Sequence, residues 1–375
     1  MIKVLQITGG MNLGGAETYI MNIYRHIDRE QFQFDFLVFG KEKQFFEDEI
    51  ISLGGRVIHL SESSVSHALF LYRQMIQIMT DTRYRVVHCH TNYSEALPLF
   101  AAEKVGIPIR IAHSHNTRNY KRANTIRKIY MSCCRKVIKR SANRFLGCSR
   151  QAIIDFYGSN QKRDYVFAPD AIDSDRITAD AERTDYDLKN EISVSNDIRV
   201  IGHVGNFGDQ KNHKHLILTF NEMLKNDRNI ALVLVGAGDN THRLLMEDLV
   251  KDLGISDKVF FLGRRNDVAA IMSCFDLMIF PSLYEGFGIV LLEAQATGLH
   301  CLVSENIQPE VDVGLGLIHW KNLCDSLQEW ASDAFEIMDC PKASFEAVRE
   351  AFRKSPFRIQ NSVAETERLY SGEKL

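Results

Sequence analysis

The sequence predicts an α/β protein of two doubly wound parallel-sheet domains. Three observations carry this. Short apolar runs alternate with amphipathic stretches along most of the 375 residues, the pattern of strands that alternate with helices around a parallel sheet. The alternation stops across the polar, acidic segment Pro169–Asn196 and then restarts. The charge also changes sign along the chain: the part through Asp180 is net basic and the remainder net acidic, although the whole is only −3. Length and charge asymmetry together fit two domains with different surroundings.

In the first half, strands are expected at Ile2–Thr8, Gln33–Phe39, Arg56–Leu60, Arg85–Cys89, Ile109–His113 and Arg144–Cys148. Helices are expected at Ala16–Ile27, Gln44–Leu53, His67–Thr80, Ser94–Val105, Asn124–Lys139 and Arg150–Tyr157. After the break, strands fall at Ile198–Val204, Ala231–Val235, Lys258–Leu262, Asp276–Phe280 and His300–Val303. Helices fall at His213–Lys225, Thr241–Leu253, Ile289–Thr297 and Asn322–Asp333. Two more helical stretches follow Pro341, parted at Ser355-Pro356. Domain boundaries are set at 1–180 and 181–356.

Composition narrows the function. A chain that is 45% hydrophobic and 25% charged is ordinary for a globular protein. The eight cysteines are scattered without Cys-x-x-Cys or metal-ligand spacing, which suits reduced thiols in a cytoplasmic chain. Met1-Ile-Lys-Val-Leu runs straight into a strand pattern, so no signal peptide is expected. No apolar run reaches the roughly 20 residues of a membrane span. Net acidity and the lack of aromatic platforms argue against nucleic acid. Segment 118–150 is rich in Arg and Lys without an acidic residue, and Ile126, Ile129, Tyr130, Met131, Val137 and Ile138 are interleaved. A basic helix with an apolar stripe fits an anionic membrane surface, or else a core-packed helix with a solvated face.

The richest stretch is Pro281-Ser-Leu-Tyr-Glu285-Gly286-Phe287-Gly288-Ile289-Val-Leu-Leu-Glu293. It follows an apolar strand and reads as strand, glycine turn, helix. A helix N-terminus offers unpaired N–H groups to an anion, and Gly286 and Gly288 let a ligand approach the backbone. Glu293 lies about two turns into an apolar helix, which is costly unless the carboxyl is bound. The plain alternative is a capping glutamate and a surface glutamate. Elsewhere, Gly9-Gly10 and Gly14-Gly15 sit between the first strand and helix, and His113-Ser-His115 ends the fifth strand. Ligands bind beyond the carboxyl ends of such strands.

The Pro281–Ala294 stretch resembles the two-glutamate signature of retaining glycosyltransferases of family four, of the bacterial capsule, exopolysaccharide and O-antigen type. Gly14-Gly15-Ala16-Glu17 is similar to that family's front loop, and Phe261-Leu-Gly263-Arg264-Arg265 to its base-contacting turn. The resemblance implies a GT-B fold, with two Rossmann-like domains facing a central cleft and a last helix, 357–375, packing back on the first domain. It implies a nucleotide-sugar donor, with UDP the default nucleotide, and a glycan or lipid-linked sugar acceptor. The nucleotide-sugar is a substrate, so no cofactor is expected and no metal. By the same resemblance Glu293 holds the ribose, and Glu285 the donor sugar and its developing positive charge. His113 contacts the sugar. Lys211, Gly14, Gly15 and the backbone of Phe287–Ile289 hold the diphosphate. The family has an arginine directly after Gly205. Here Asn206 stands in its place, and Arg264 or Arg265 could supply the missing cation. A location at the inner membrane face follows from the basic segment and a lipid-linked acceptor. A GT-B epimerase or phosphorylase, or a degenerate scaffold subunit, are the alternatives.

Overall fold

The computed structural model describes residues 1–60, 68–117, 124–158, 165–183 and 185–373. The chain forms two compact units, Met1–Ala171 with Ile359–Leu375, and Ile172–Arg358. The units part at Ala171/Ile172, inside the segment read as the link and ahead of the expected boundary at 180.

The first unit is built on seven parallel strands: β1 Ile2–Ile7, β2 Phe32–Phe39, β3 Arg56–Leu60, β4 Val86–Cys89, β5 Ile109–Ser114, β6 Arg144–Gly147 and β7 Tyr165–Phe167. Their order is β3-β2-β1-β4-β5-β6-β7. Central strands such as β4 are buried throughout, as expected where helices cover both faces of a parallel sheet. Strand order reverses between β1 and β4, where Val4 pairs with Val86. That reversal opens a crevice beyond the strand ends. The helix Ile359–Ser371 belongs to this unit and packs on helix Gly15–His26 and on β1.

The second unit repeats the plan with β8 Arg199–Val204, β9 Ile230–Val235, β10 Val259–Gly263, β11 Leu277–Phe280, β12 Cys301–Ser304 and β13 Ile318–Lys321, in the order β10-β9-β8-β11-β12-β13. Here the order reverses between β8 and β11, paired through Ile201 and Leu277. The loops after these two strands therefore share a crevice. Trp330, Phe220 and the residues of β9 fill the core beneath.

Three sequence expectations need correction. β7 and β13 were not foreseen, being edge strands of three and four residues. The helix Val268–Ser273 was also missed. The supposed link contains two helices: Ser174–Glu182 is capped by Asp173 and Leu188–Glu191 by Asp187. The first of these buries Ile177, Thr178 and Ala181 and packs on helices 268–273, 289–296 and 345–354. Its acidic exposed face hid an apolar side too short to read as periodic. The expected helix start at His67, and Arg118, Lys121 and Arg122 of the basic segment, lie outside the described residues.

Candidate functional site

In the second unit, the loop after β8 ends in a short 3-10 turn, Asp209–Lys211. Asn212 closes it at φ +54° and donates from Nδ2 to the Pro281 carbonyl at 3.1 Å. Leu283 N–H donates to the Gln210 carbonyl at 2.8 Å. These two bonds tie the loop after β8 to the loop after β11 at the point where strand order reverses. Gly205 is bare where Lys211 passes: a Cβ there would lie 3.0 Å from Lys211 Cε.

The result is a charged pair at the mouth of a helix. Lys211 Nζ lies 2.8 Å from Glu285 Oε1 and 4.5 Å from the Phe280 ring centroid. Gln210 Nε2 donates to the other oxygen, Glu285 Oε2, at 2.9 Å. Glu285 is only 5% exposed, so its charge relies on these donors. Gln210, the second donor, was not singled out in the sequence, and only its place beside Lys211 could have signalled it. Behind the pair, His203 bonds the Ile279 carbonyl through Nδ1 at 2.9 Å. Burial pulls its pKa down to about 4.

The helix that follows, Ile289–Ala296, starts after Gly288, whose φ of +95° favours glycine and which supplies no side-chain cap. Its first N–H groups are thus not taken by a capping side chain. The Phe287 side chain is buried against Phe357, ring centroids 5.3 Å apart, so only the backbone of Phe287 can serve a ligand. Gly286 and Ile289 are buried beside it. Glu293 is half-buried. Desolvation raises its pKa to about 7, and Arg176 opposes the shift only weakly. Gln295 pins the adjoining loop through Val311 O and Val313 N.

Asn206 and Arg264 are both exposed. Arg265 is engaged by Glu191, by Asp267 at 2.6 Å and by the Tyr186 hydroxyl. This network draws the Asp267 carboxyl below its usual range. Of the two arginines, Arg265 is therefore committed elsewhere in the unit.

In the first unit, Gly14 caps and Gly15 opens the helix Gly15–His26. Glu17 folds back on Gly14, and burial raises its pKa. His113, at the end of β5, is fully buried. It lies within a cluster of histidines gathered from the ends of β4 and β5. His88 Nε2 is 3.1 Å from His113 Nδ1, and His88 Nδ1 is 2.8 Å from the Tyr370 hydroxyl. His90 is 2.8 Å from His115 and 2.9 Å from Gln6 Oε1. His115 Nδ1 faces Asp170 at 3.6 Å. Burial, then neighbouring histidines, hold His88, His90 and His113 well below the usual imidazole range. Tyr370 comes from the last helix, too far along the chain for the sequence to associate it with His88.

Two groups among the described residues have ligand atoms close enough to hold a metal ion, His88/His90/His113 and His115/Cys148/Asp170. In the first, hydrogen bonds already use both nitrogens of His88 and of His90, leaving only His113 Nε2.

The basic helix runs Thr125–Ser141. Met131, Cys134 and Ile138 are buried in the core, so the apolar stripe is divided. Ile126, Ile129 and Tyr130 remain 81%, 60% and 48% exposed. No helix among the described residues is long and apolar enough to cross a membrane.

Two families match this chain: "Glycosyltransferase Family 4" over residues 13–201 and "Glycosyl transferases group 1" over 186–313. A putative glycosyltransferase of Bacillus subtilis, EpsF, is 32% identical over 98% of this chain and 96% of its own. An Escherichia coli protein named UDP-Gal:alpha-D-GlcNAc-diphosphoundecaprenol alpha-1,3-galactosyltransferase is 23% identical over 81% of this chain and 79% of its own. Among solved structures, Anabaena HepE in complex with UDP-glucose superimposes with a TM-score of 0.80 at 18% identity, covering 99% of this chain and 100% of that one.

Proposed function

The chain belongs to the family 4, group 1 glycosyltransferases and has their GT-B fold, and from that premise we propose that it transfers a sugar from a UDP-sugar to a glycan acceptor in bacterial surface polysaccharide synthesis, with retention of anomeric configuration. The observation that carries this reading is the Lys211–Glu285–Gln210 constellation at the mouth of the Ile289–Ala296 helix. In this reading the diphosphate takes the uncapped helix N-terminus and draws on the charge of Lys211. Glu285, released in part from Lys211, accepts from hydroxyls of the sugar and stabilises positive charge at its anomeric carbon. Glu293 accepts from the ribose hydroxyls, and Arg264 and the neutral Asn206 lie at the edge of the nucleotide. Positive charge at the leaving diphosphate comes from Lys211 and the helix terminus without a metal ion.

In the first unit, Gly14 and Gly15 serve the phosphate by backbone, and His113 donates to a sugar hydroxyl. UDP is favoured by the names of the relatives, one a UDP-Gal transferase and one solved with UDP-glucose. The E. coli relative is named for a diphosphoundecaprenol-linked acceptor. We extend this to a lipid-linked acceptor here, because Ile126, Ile129 and Tyr130 stand exposed beside Arg127 and Lys128 on the Thr125–Ser141 helix. In this reading the protein works at the inner membrane face.

The test is transfer from UDP-sugars with a chelator present, comparing wild type with Glu285→Gln. The variant keeps the shape and one acceptor for Lys211, and Gln210 can turn its amide to meet the new one. Loss of about 10²–10³ in kcat is expected, the size of one transition-state electrostatic contact. An unchanged rate in the folded variant would remove Glu285 from the chemistry.

A further inference from the structure

The buried hydrogen bonds around His113 have a direction. Gln6 is 1% exposed. Its Nε2 donates to the Tyr370 hydroxyl at 2.9 Å, and its Oε1 faces His90 Nε2 at 2.9 Å. Having accepted from Gln6, the Tyr370 hydroxyl has its own proton to give, and His88 Nδ1 is there at 2.8 Å. A neutral His88 that accepts at Nδ1 carries its proton on Nε2. It donates that proton to His113 Nδ1 at 3.1 Å. Neutral His113 must then carry its own proton on Nε2. The Ala168 backbone favours a proton on this ring, yet among the described residues no partner lies within hydrogen-bonding distance of the buried His113 Nε2.

We propose that Tyr370 is a positioning residue: through His88 it fixes His113 with its proton on Nε2, so that this ring presents an N–H to an incoming ligand oxygen. The last helix thereby sets the chemistry of a strand end more than 250 residues earlier in the chain. The identity of the oxygen, a hydroxyl of the donor sugar, rests on the proposed function; the tautomer does not. A buried N–H with no acceptor within hydrogen-bonding distance costs free energy in the empty protein, and a ligand acceptor lowers that cost only if the proton sits on Nε2.

The tautomer is read directly by 15N–1H correlation of imidazole nitrogens in histidine-labelled protein, with His88 and His113 assigned through His88→Gln and His113→Gln. Wild type is expected to show both rings protonated on Nε2. Tyr370→Phe removes the donor to His88 Nδ1 and should move His113 away from a pure Nε2–H form. It should also lower kcat by roughly tenfold, the scale of one lost buried hydrogen bond, with UDP binding unchanged. Gln6→Glu is isosteric and offers Tyr370 only an acceptor. It should reverse the chain, moving the protons of His88 and His113 to Nδ1, and it decides the matter if Tyr370→Phe does not fold. A wild-type His113 protonated on Nδ1 overturns the proposal, because the chain would then run the other way, toward Asp170. So does an unmoved His113 signal in folded Tyr370→Phe. If the tautomers behave as expected while kcat does not change, the positioning stands and the role of His113 in transfer fails.

Discussion

Glu293 shows how a single residue can be read as a ligand group before any ligand is seen. A carboxyl on an apolar helix, with its pKa raised from 4.5 to about 7, is held there against its own solvation. The sign of the consequence is fixed. Below about pH 4.5 the group is protonated whether the chain is folded or not, and burial costs nothing. Between 4.5 and about 7 the unfolded chain ionises first, so stability falls as pH rises, and the loss is complete above about 7. Glu293→Gln removes the effect. Its Tm relative to wild type should therefore climb between pH 4.5 and 7 and level off above, in calorimetric scans across that range. A constant Tm difference would mean that the carboxyl is not desolvated. The sequence revealed this residue by its position in an apolar run. It could not reveal that Glu285 holds Lys211 on one oxygen and Gln210 on the other, because that pairing depends on two loops meeting where strand order reverses.

At the scale of elements, the long central strands and amphipathic helices were legible because burial on both faces forces continuous apolar runs. β7, β13 and the Ser174–Glu182 helix were not, since each is short and lies at an edge or shows an acidic side. The Thr125–Ser141 helix was read correctly as a helix, and its apolar stripe is divided. Met131 and Ile138 are core, whereas Ile126 and Ile129 face outward among Arg127 and Lys128. Each basic residue near an anionic surface contributes about 1 kcal/mol, and the two isoleucines add apolar burial. Co-sedimentation with phosphatidylglycerol vesicles should therefore be strong at low salt and weak at high salt. The double substitution Ile126→Glu/Ile129→Glu should abolish it while the protein keeps its Tm. Equal sedimentation of variant and wild type would assign the exposed face to something other than lipid.

At the scale of the whole molecule, one architecture is used twice, and in each unit candidate site residues flank the point where strand order reverses. In the first unit the Gly14–Gly15 loop follows β1, and His88 and His90 stand at the end of β4, with His113 on the next strand, β5; in the second, Lys211 follows β8 and Glu285 follows β11. The doubly wound plan could be read from the alternation of strands and helices, and the family from the glutamate signature. The return of the last helix to the first unit came only from the resemblance, because nothing local in Ile359–Ser371 says which sheet it will meet. The histidine–tyrosine network depends on that return.

Whether the second unit's reversal point is a UDP-sugar site is tested by calorimetric titration of the protein with UDP, GDP and ADP, repeated on Glu293→Ala. UDP is expected to bind, GDP and ADP to bind far more weakly, and Glu293→Ala to lose UDP. UDP affinity should also fall as pH drops below about 7, as the carboxyl takes up a proton. If no nucleotide binds, or if Glu293→Ala binds UDP as tightly as wild type, the site is not where the Lys211–Glu285 pair and the Ile289–Ala296 helix put it.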